Sequence, residues 1–290
     1  MAFDAGFVRT LETLNVLARR LMTFETRADR PSPKRGASIE FADYRSYAPG
    51  DDIRYIDWNV YARHGHLFVK EFTAEENVHV SVILDVSASM AFGSPPKIDA
   101  AREVAAAVAY IGLVNFDTVS VYTMSEAVRA EKQFLRGKGA VFAMLEAIDG
   151  AKPGTRTDFR ALAAPIQRLK GRSLVVVVTD FYDRAYAEGI RALLSQKHQV
   201  HLIHVVAREE LEPPERGRFF LVDLETQRER EVTLGADTLE RYRKRLREYC
   251  VELERFARDH ELYYSRVRSD EPLERRIRDI LRGGGILEAR

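Results

Sequence analysis

Residues 78–90 read Val-His-Val-Ser-Val-Ile-Leu-Asp-Val-Ser-Ala-Ser-Met, an apolar run that ends in an aspartate and continues into two serines. A turn-rich segment at 93–97 then leads into a long helical pattern. A strand followed by a polar loop and a helix is how α/β sheets place ligands at the carboxyl end of a central strand. Asp85, Ser87 and Ser89 offer only hard oxygen atoms, which favour Mg²⁺ or Mn²⁺ over zinc.

Two later segments add polar groups in the same setting. Thr157-Asp158 opens a helical segment predicted over 159–170, and a buried strand predicted over 174–178 ends in Thr179-Asp180. Each of these residues has an ordinary alternative, because threonine and aspartate are common helix caps. The ordered set nevertheless resembles the metal-ion-dependent adhesion site of von Willebrand factor A domains, and its members here are Asp85, Ser87, Ser89, Thr157 and Asp180.

The resemblance implies a role for each kind of side chain. In that family the serines and the threonine bind the metal directly or through water, and the aspartates act mainly through water. The sixth coordination position stays open for a carboxylate. The resemblance therefore implies a Mg²⁺ (or Mn²⁺) cofactor and a protein partner that offers an acidic residue to the metal.

The composition of the chain narrows the classes of function that remain. The 290 residues include 45 Lys plus Arg and 44 Asp plus Glu. The chain therefore has no excess of positive charge that would indicate nucleic-acid binding. The single cysteine excludes an internal disulfide and a cysteine-cluster zinc site. No signal-peptide pattern is present, and the most apolar helical segment, 105–114, is short of the ~20 residues of a membrane span. We therefore expect a soluble cytoplasmic protein without direct membrane insertion.

Strands alternate with helices from Val78 onward, which predicts an α/β domain over 76–290. Its central sheet should be mostly parallel with helices on both faces. Right-handed connections would gather Asp85 and Asp180 at one rim of that sheet. An amphipathic helix is predicted over 4–27. We expect residues 1–75, this helix and a β-rich extension, to pack on the main domain.

The segment 35–72 crowds charged and aromatic side chains together. Alternation predicts a strand from Ile53 to Tyr61 that packs against the sheet domain through Trp58 and Tyr61. The charges suggest an internally paired ion network that involves Arg45, Arg54, Arg63, Asp43, Asp52 and Asp57. A structural network and a recognition surface both remain open for this segment.

A family resemblance rests on this segment and on the stretch after it. Its motifs are Arg35-Gly36, Asp43-Tyr44-Arg45, Tyr47-Ala48-Pro49-Gly50-Asp51-Asp52, Arg54, Ile56-Asp57-Trp58-Asn59, Ala62-Arg63 and Leu84-Asp85-Val86-Ser87-Ala88-Ser89-Met90. They resemble the signature of a bacterial family called domain of unknown function 58. Members are similar to von Willebrand factor A proteins and are associated with MoxR-type AAA+ ATPases. Many carry membrane helices before the signature, and we expect none here.

Two classes of function are consistent with these observations. The first is a non-catalytic, metal-dependent adaptor that works with a MoxR-type AAA+ ATPase in assembly or maturation of other proteins. The alternative is a metal-dependent hydrolase, a phosphoesterase or nuclease, that uses Asp85 and Asp180. A dehalogenase-type phosphatase would need an aspartate where Ser87 stands, and a two-metal nuclease would need more carboxylates. We therefore expect binding without catalysis.

Overall fold

The structure, a computed structural model, describes residues 3–4, 6–14, 39–74, 79–115, 117–162, 173–196, 198–213, 217–225 and 227–283. The chain forms two compact units, one of residues 25–77 and one of residues 1–24 with 78–290. Residues 6–14 form the helix α1, which buries Leu11 and Leu14 in the core of the larger unit. The rest of the helix predicted over 4–27, from 15 onward, lies outside the described residues.

The smaller unit is built on a two-stranded antiparallel sheet. Strand β1 (Ile39–Ser46) pairs with β2 (Phe68–Ala74), and helix α2 (Trp58–His64) lies between them in sequence. The strand predicted from Ile53 to Tyr61 is wrong: a 3₁₀ turn at Ile53–Tyr55 is followed by α2. The carboxylate of Asp57 caps the helix by accepting the N–H groups of Asn59 and Val60, and this cap outweighs the β propensity of the segment.

The predicted ion network of this unit exists with partly different partners. Arg54 pairs with Asp52 at 2.6 Å, but Arg45 pairs with Asp51 and Lys70 pairs with Asp57. Within the smaller unit the ring of Trp58 packs edge-on against Tyr61 and is otherwise largely exposed. Helix α1 lies in the core of the main domain. Packing of the β-rich extension on that domain, including contacts of Trp58 and Tyr61 with the sheet, stays a prediction.

Asp57→Asn should destabilise the smaller unit at neutral pH while keeping a good helix cap. The amine of Lys70 and the hydroxyl of Tyr44 hold the pKa of Asp57 well below its usual range. A depressed pKa contributes stability above the unfolded-state value of about 4, and this contribution is lost as the pH falls further. Trp58 is the one tryptophan of the chain, so its fluorescence reports on this unit during urea unfolding. The gap between wild type and Asp57→Asn should shrink from pH 7 to pH 3.

The exposed Asp43→Asn in the same unit is the control, and it should follow wild type at both pH values. Equal unfolding midpoints of Asp57→Asn and wild type at pH 7 would contradict the assigned role of Asp57.

The larger unit contains a six-stranded sheet. Its strands are β3 (His79–Asp85), β4 (Thr118–Met124), β5 (Val128–Arg136), β6 (Ser173–Thr179), β7 (Gln199–Val206) and β10 (Tyr263–Arg268). The order is β10-β7-β6-β3-β4-β5, and every neighbouring pair is parallel except β4 with β5. The predicted mostly parallel sheet is confirmed.

Helices cover both faces of this sheet. One face packs against α1 and the helices α3 (Lys97–Val114), α4 (Val141–Asp149) and α8 (Leu273–Gly283). The other packs against α5 (Tyr186–Leu194) and α7 (Ala236–Asp259). A one-turn helix α6 (Arg208–Leu211) follows β7, and a separate hairpin of β8 (Gly217–Val222) and β9 (Glu229–Leu234) precedes α7. Among the described helices, none is both long and apolar enough to cross a membrane.

The strand order creates a crevice at the ends of β3 and β6. From β3 the chain moves to β4 on one side and later returns to β6 on the other, where Leu84 pairs with Val178. Such a reversal leaves the carboxyl ends of the two strands free of a crossing connection, which is where open α/β sheets bind ligands.

Candidate metal centre

Asp85, the last residue of β3, organises the crevice. It is completely buried, and its Oδ1 accepts the main-chain N–H of Ser87 at 2.8 Å. Its Oδ2 accepts the hydroxyls of Thr157 at 3.0 Å and Thr179 at 2.5 Å. Burial, followed by the charge of Asp180, raises the pKa of Asp85. A nearby cation would favour its ionised form.

The loop hydroxyls converge beside this carboxylate. The Oγ atoms of Ser87 and Ser89 lie 3.1 Å apart, and Thr157 contacts Asp85 directly. Main-chain hydrogen bonds fix the loop of Thr157. The N–H of Ala88 donates to the carbonyl oxygen of Thr155 at 3.2 Å, and the N–H of Gly154 donates to that of Val86 at 2.8 Å. Four of the five predicted site residues therefore form one set of hard oxygen donors, Asp85, Ser87, Ser89 and Thr157. Its chemistry fits Mg²⁺ or Mn²⁺.

Asp180 lies at the same rim but has another partner. Its Oδ2 accepts a hydrogen bond from the Nζ of Lys97 at 2.8 Å, and the same amine donates to Oε1 of Glu210 at 2.7 Å. Lys97 is 1 % exposed, Asp180 1 % and Glu210 7 %. Burial opposes the charge of the amine, but Asp180 and Glu210 outweigh burial and raise the pKa of Lys97. The fifth predicted residue is thus a member of a buried ion triad next to the oxygen donors.

The triad continues into the surrounding structure. The second carboxylate oxygen of Glu210 accepts the N–H of Ala207 at 2.7 Å, which fixes α6 at the end of β7. The ring of Tyr182 lies 4.9 Å from the Lys97 amine and adds a cation–π contact. The main-chain N–H of Tyr182 donates to the other oxygen of Asp180 at 3.3 Å. These contacts hold Asp180 in one orientation.

A cavity of about 730 Å³ opens from the oxygen donors toward the hairpin. Ser89, Thr157, Tyr182, Arg184, Glu225 and Tyr242 are among the residues that line it. Glu225 lies in the turn between β8 and β9, so the hairpin brings an acidic side chain to the same cavity as Thr157. The cavity gives an outside side chain access to the donor set.

Three residues of this region are not indicated by the sequence patterns. Those patterns place Thr179 only at the end of a strand, and they give Lys97 and Glu210 no role in the site. The separations of Lys97 from Asp180 and from Glu210, 83 and 113 residues, leave no local signal for such a triad. A lysine at the first position of a helix is ordinarily solvated.

The sheet order and the placing of the polar loops define an α/β protein of the von Willebrand factor A-like type. The model of the family described as "Protein of unknown function DUF58" matches residues 43–251. The chain belongs to that family.

Several known proteins are similar to this chain. It is 26 % identical over 238 residues to uncharacterised proteins of Mycobacterium tuberculosis and Mycobacterium bovis, covering 80 % of this chain and 75 % of theirs. It is similar to the crystal structure of the conserved hypothetical protein BatB from Bacteroides thetaiotaomicron, with a TM-score of 0.44 and 16 % identity, over 71 % of this chain and 98 % of that one. An aerotolerance-related membrane protein from Bacteroides fragilis has a TM-score of 0.41 and 18 % identity, over 71 % and 99 % of the two chains.

Proposed function

We propose that the protein is a non-catalytic binding module that uses Mg²⁺ or Mn²⁺ to hold an acidic side chain of a partner protein. The observation that carries this proposal is the convergence of Asp85, Ser87, Ser89 and Thr157 in a crevice beside an open cavity. Hydroxyl ligands are uncharged, so an ion held mainly by them keeps more of its positive charge for an outside carboxylate.

The side chains at this site would have different roles in binding the ion. The three hydroxyl side chains would hold the ion, and Asp85 would orient Thr157 and the Ser87 main chain while it contributes charge. Asp180 would act through water, because Lys97 already occupies one of its oxygens. When bound, the ion supplies a Lewis-acid contact for the partner's carboxylate.

The partner that the family resemblance favours is a MoxR-type AAA+ ATPase, with this protein as an adaptor in assembly or maturation of other proteins. Affinity capture of such an ATPase should succeed in Mg²⁺ and fail in chelator, and Asp85→Ala should imitate the chelator. Because a metal–carboxylate contact at a rim is partly electrostatic, retention should also weaken as salt rises. If the ATPase is retained equally well in chelator and by Asp85→Ala, the protein binds it through a surface that does not involve the metal.

The alternative, a metal-dependent hydrolase, has less support in the arrangement. Within the ranges described, no three or more His, Cys, Asp or Glu side chains form a group that could hold a metal. Asp180 is held by Lys97, and the side-chain partners of Asp85 in the described part of the chain are hydroxyls rather than a histidine. Metal-dependent phosphoester hydrolysis that follows Asp85 and Asp180 substitutions through repeated purification would favour the hydrolase instead.

Combined replacement Ser87→Ala with Ser89→Ala should abolish saturable Mg²⁺ and Mn²⁺ binding at millimolar ion in isothermal titration calorimetry. One lost hydroxyl should weaken binding by at most about 2 kcal/mol, because an immobilised water molecule can replace it. The hydroxyls of Ser87 and Ser89 contact each other, and alanine keeps the Ser87 main-chain N–H that Asp85 accepts, so the circular dichroism spectrum should match wild type.

Ser195→Ala removes an exposed hydroxyl at the end of α5 and is the control that should bind metal normally. Wild-type protein without saturable binding of either ion would refute the proposal at its centre.

A further inference from the structure

The turn of the β8–β9 hairpin fixes one acidic residue beside the candidate metal centre. Asp223 closes the turn, since its N–H donates to Arg228 O at 2.9 Å and its own carbonyl accepts the N–H of Gln227 at 2.7 Å. Its carboxylate accepts the main-chain N–H of Glu225 at 2.9 Å. These hydrogen bonds fix the main chain of Glu225 within the hairpin. The position of the hairpin therefore determines where the Glu225 side chain lies.

The carboxylate of Glu225 reaches the metal-site loop. It lines the same cavity as Ser89 and Thr157, and the main-chain N–H of Thr157 is close enough to act on its charge. This N–H belongs to the residue whose hydroxyl contacts Asp85 at 3.0 Å. A carboxylate bound here lies next to the oxygen donors, on their cavity side.

The charges around Glu225 are unfavourable for an isolated carboxylate. Asp183 and Asp223 line the same cavity as Glu225, and Asp180 is bound to Lys97, another residue of that lining. The amine of Lys97, which contacts Asp180, is already shared with Glu210. A divalent cation held by the loop hydroxyls would remove this conflict, because it attracts Glu225 as it attracts Asp85.

We propose that Glu225 is a carboxylate ligand supplied from within the chain, which closes the open face of the metal site until a partner's acidic residue replaces it. This inference rests on the proposed function, because it requires the metal site. Glu225 remains exposed, so an incoming side chain can reach it and compete for the same position. The partner's binding segment then has a defined chemistry: an acidic side chain that displaces the hairpin turn.

The test uses the full chain and Mn²⁺ alone. Glu225→Gln removes the charge and keeps the size of the side chain. We expect its Mn²⁺ affinity to fall by at least about tenfold, because even the loss of a group that only supports a ligand has that effect at other metal sites. Water-proton relaxation counts the water molecules bound to Mn²⁺, and Glu225→Gln should gain one relative to wild type.

Glu229→Gln is the matched control, because Glu229 is an exposed acid of the same hairpin that does not line the cavity. It should bind Mn²⁺ with wild-type affinity and hydration. A second measurement is trypsin cleavage after Arg228, in the same turn. Mn²⁺ should slow this cleavage in wild type and in Glu229→Gln, but not in Glu225→Gln.

The outcomes separate this inference from the proposed function. Saturable Mn²⁺ binding with equal affinity, hydration and trypsin protection in Glu225→Gln and wild type would overturn the role of Glu225 and leave the metal-dependent module intact. Absence of saturable Mn²⁺ binding in wild type would overturn both.

Discussion

Lys97→Met should lower the free energy of unfolding by about 3–5 kcal/mol, which is the usual effect of removing one partner from a buried ion pair. The amine of Lys97 contacts both Asp180 and Glu210 at less than 3 Å, and all three side chains are buried. Methionine has a similar length but no charge, so the two carboxylates would face each other without a cation. Urea unfolding followed by circular dichroism measures the loss.

Lys138→Met is the matched control, because Lys138 is exposed on the turn before α4. It should change stability by less than about 0.5 kcal/mol, as surface substitutions usually do. Equal stability of Lys97→Met and wild type would contradict the triad.

The same variant also links the triad to the proposed metal site. Without Lys97, Asp180 has more negative charge to share with a cation in the crevice. Millimolar Mg²⁺ should therefore raise the melting temperature of Lys97→Met more than that of wild type. A larger increase in wild type would contradict the expected action of Asp180 on the ion.

Gly189→Ala should destabilise the protein by about 3 kcal/mol, at the upper end of what overpacking costs. A Cβ on Gly189 would lie 2.1 Å from the carbonyl oxygen of Phe159 and 2.7 Å from its carbon. The main chain of Phe159 cannot retreat easily, because its ring is fully buried and stacks on Phe181 with centroids 5.6 Å apart. Thermal unfolding measures the effect.

This substitution should also weaken metal binding, because Phe159 follows Thr157 by two residues on the same loop. Gly139→Ala is the control, since a Cβ there meets nothing within 4 Å. An alanine at 189 with wild-type stability and wild-type Mg²⁺ affinity would show that α5 does not constrain the Thr157 loop.

The sheet could be predicted because its signals are local. The strands β3, β4, β6 and β7 are short β-branched runs bounded by turns, and their two buried faces give near-continuous apolar sequences. The helix α7 could be predicted from its apolar periodicity. In contrast, the strand prediction fails at α2 because the alternation of Ile56, Trp58 and Val60 is typical of a strand, whereas one side-chain cap from Asp57 decides the conformation.

Only part of the candidate metal centre could be predicted from local sequence patterns. The spacing of Asp85, Ser87 and Ser89 is local, and the ends of adjacent parallel strands bring Asp180 to the same rim. Nothing local predicts that Lys97 neutralises Asp180, since the pair depends on where α3 begins above the sheet. The position of Glu225 depends on how a hairpin outside the main sheet is placed, which no periodicity encodes.

The route of the chain through the sheet has a kinetic consequence for the metal-site residues. Asp85 meets Thr157 and Thr179 across 72 and 94 residues, and each of these contacts must close a long loop before it contributes stability. A nascent chain that has emerged only as far as β5 carries Asp85 and both serines but no β6 to pair with β3. The donor set can therefore assemble only after β6 has docked, and ion binding would accelerate neither strand pairing nor the early collapse of the core. It would instead stabilise the completed sheet, because the ion binds the native state and not states in which β6 is still undocked.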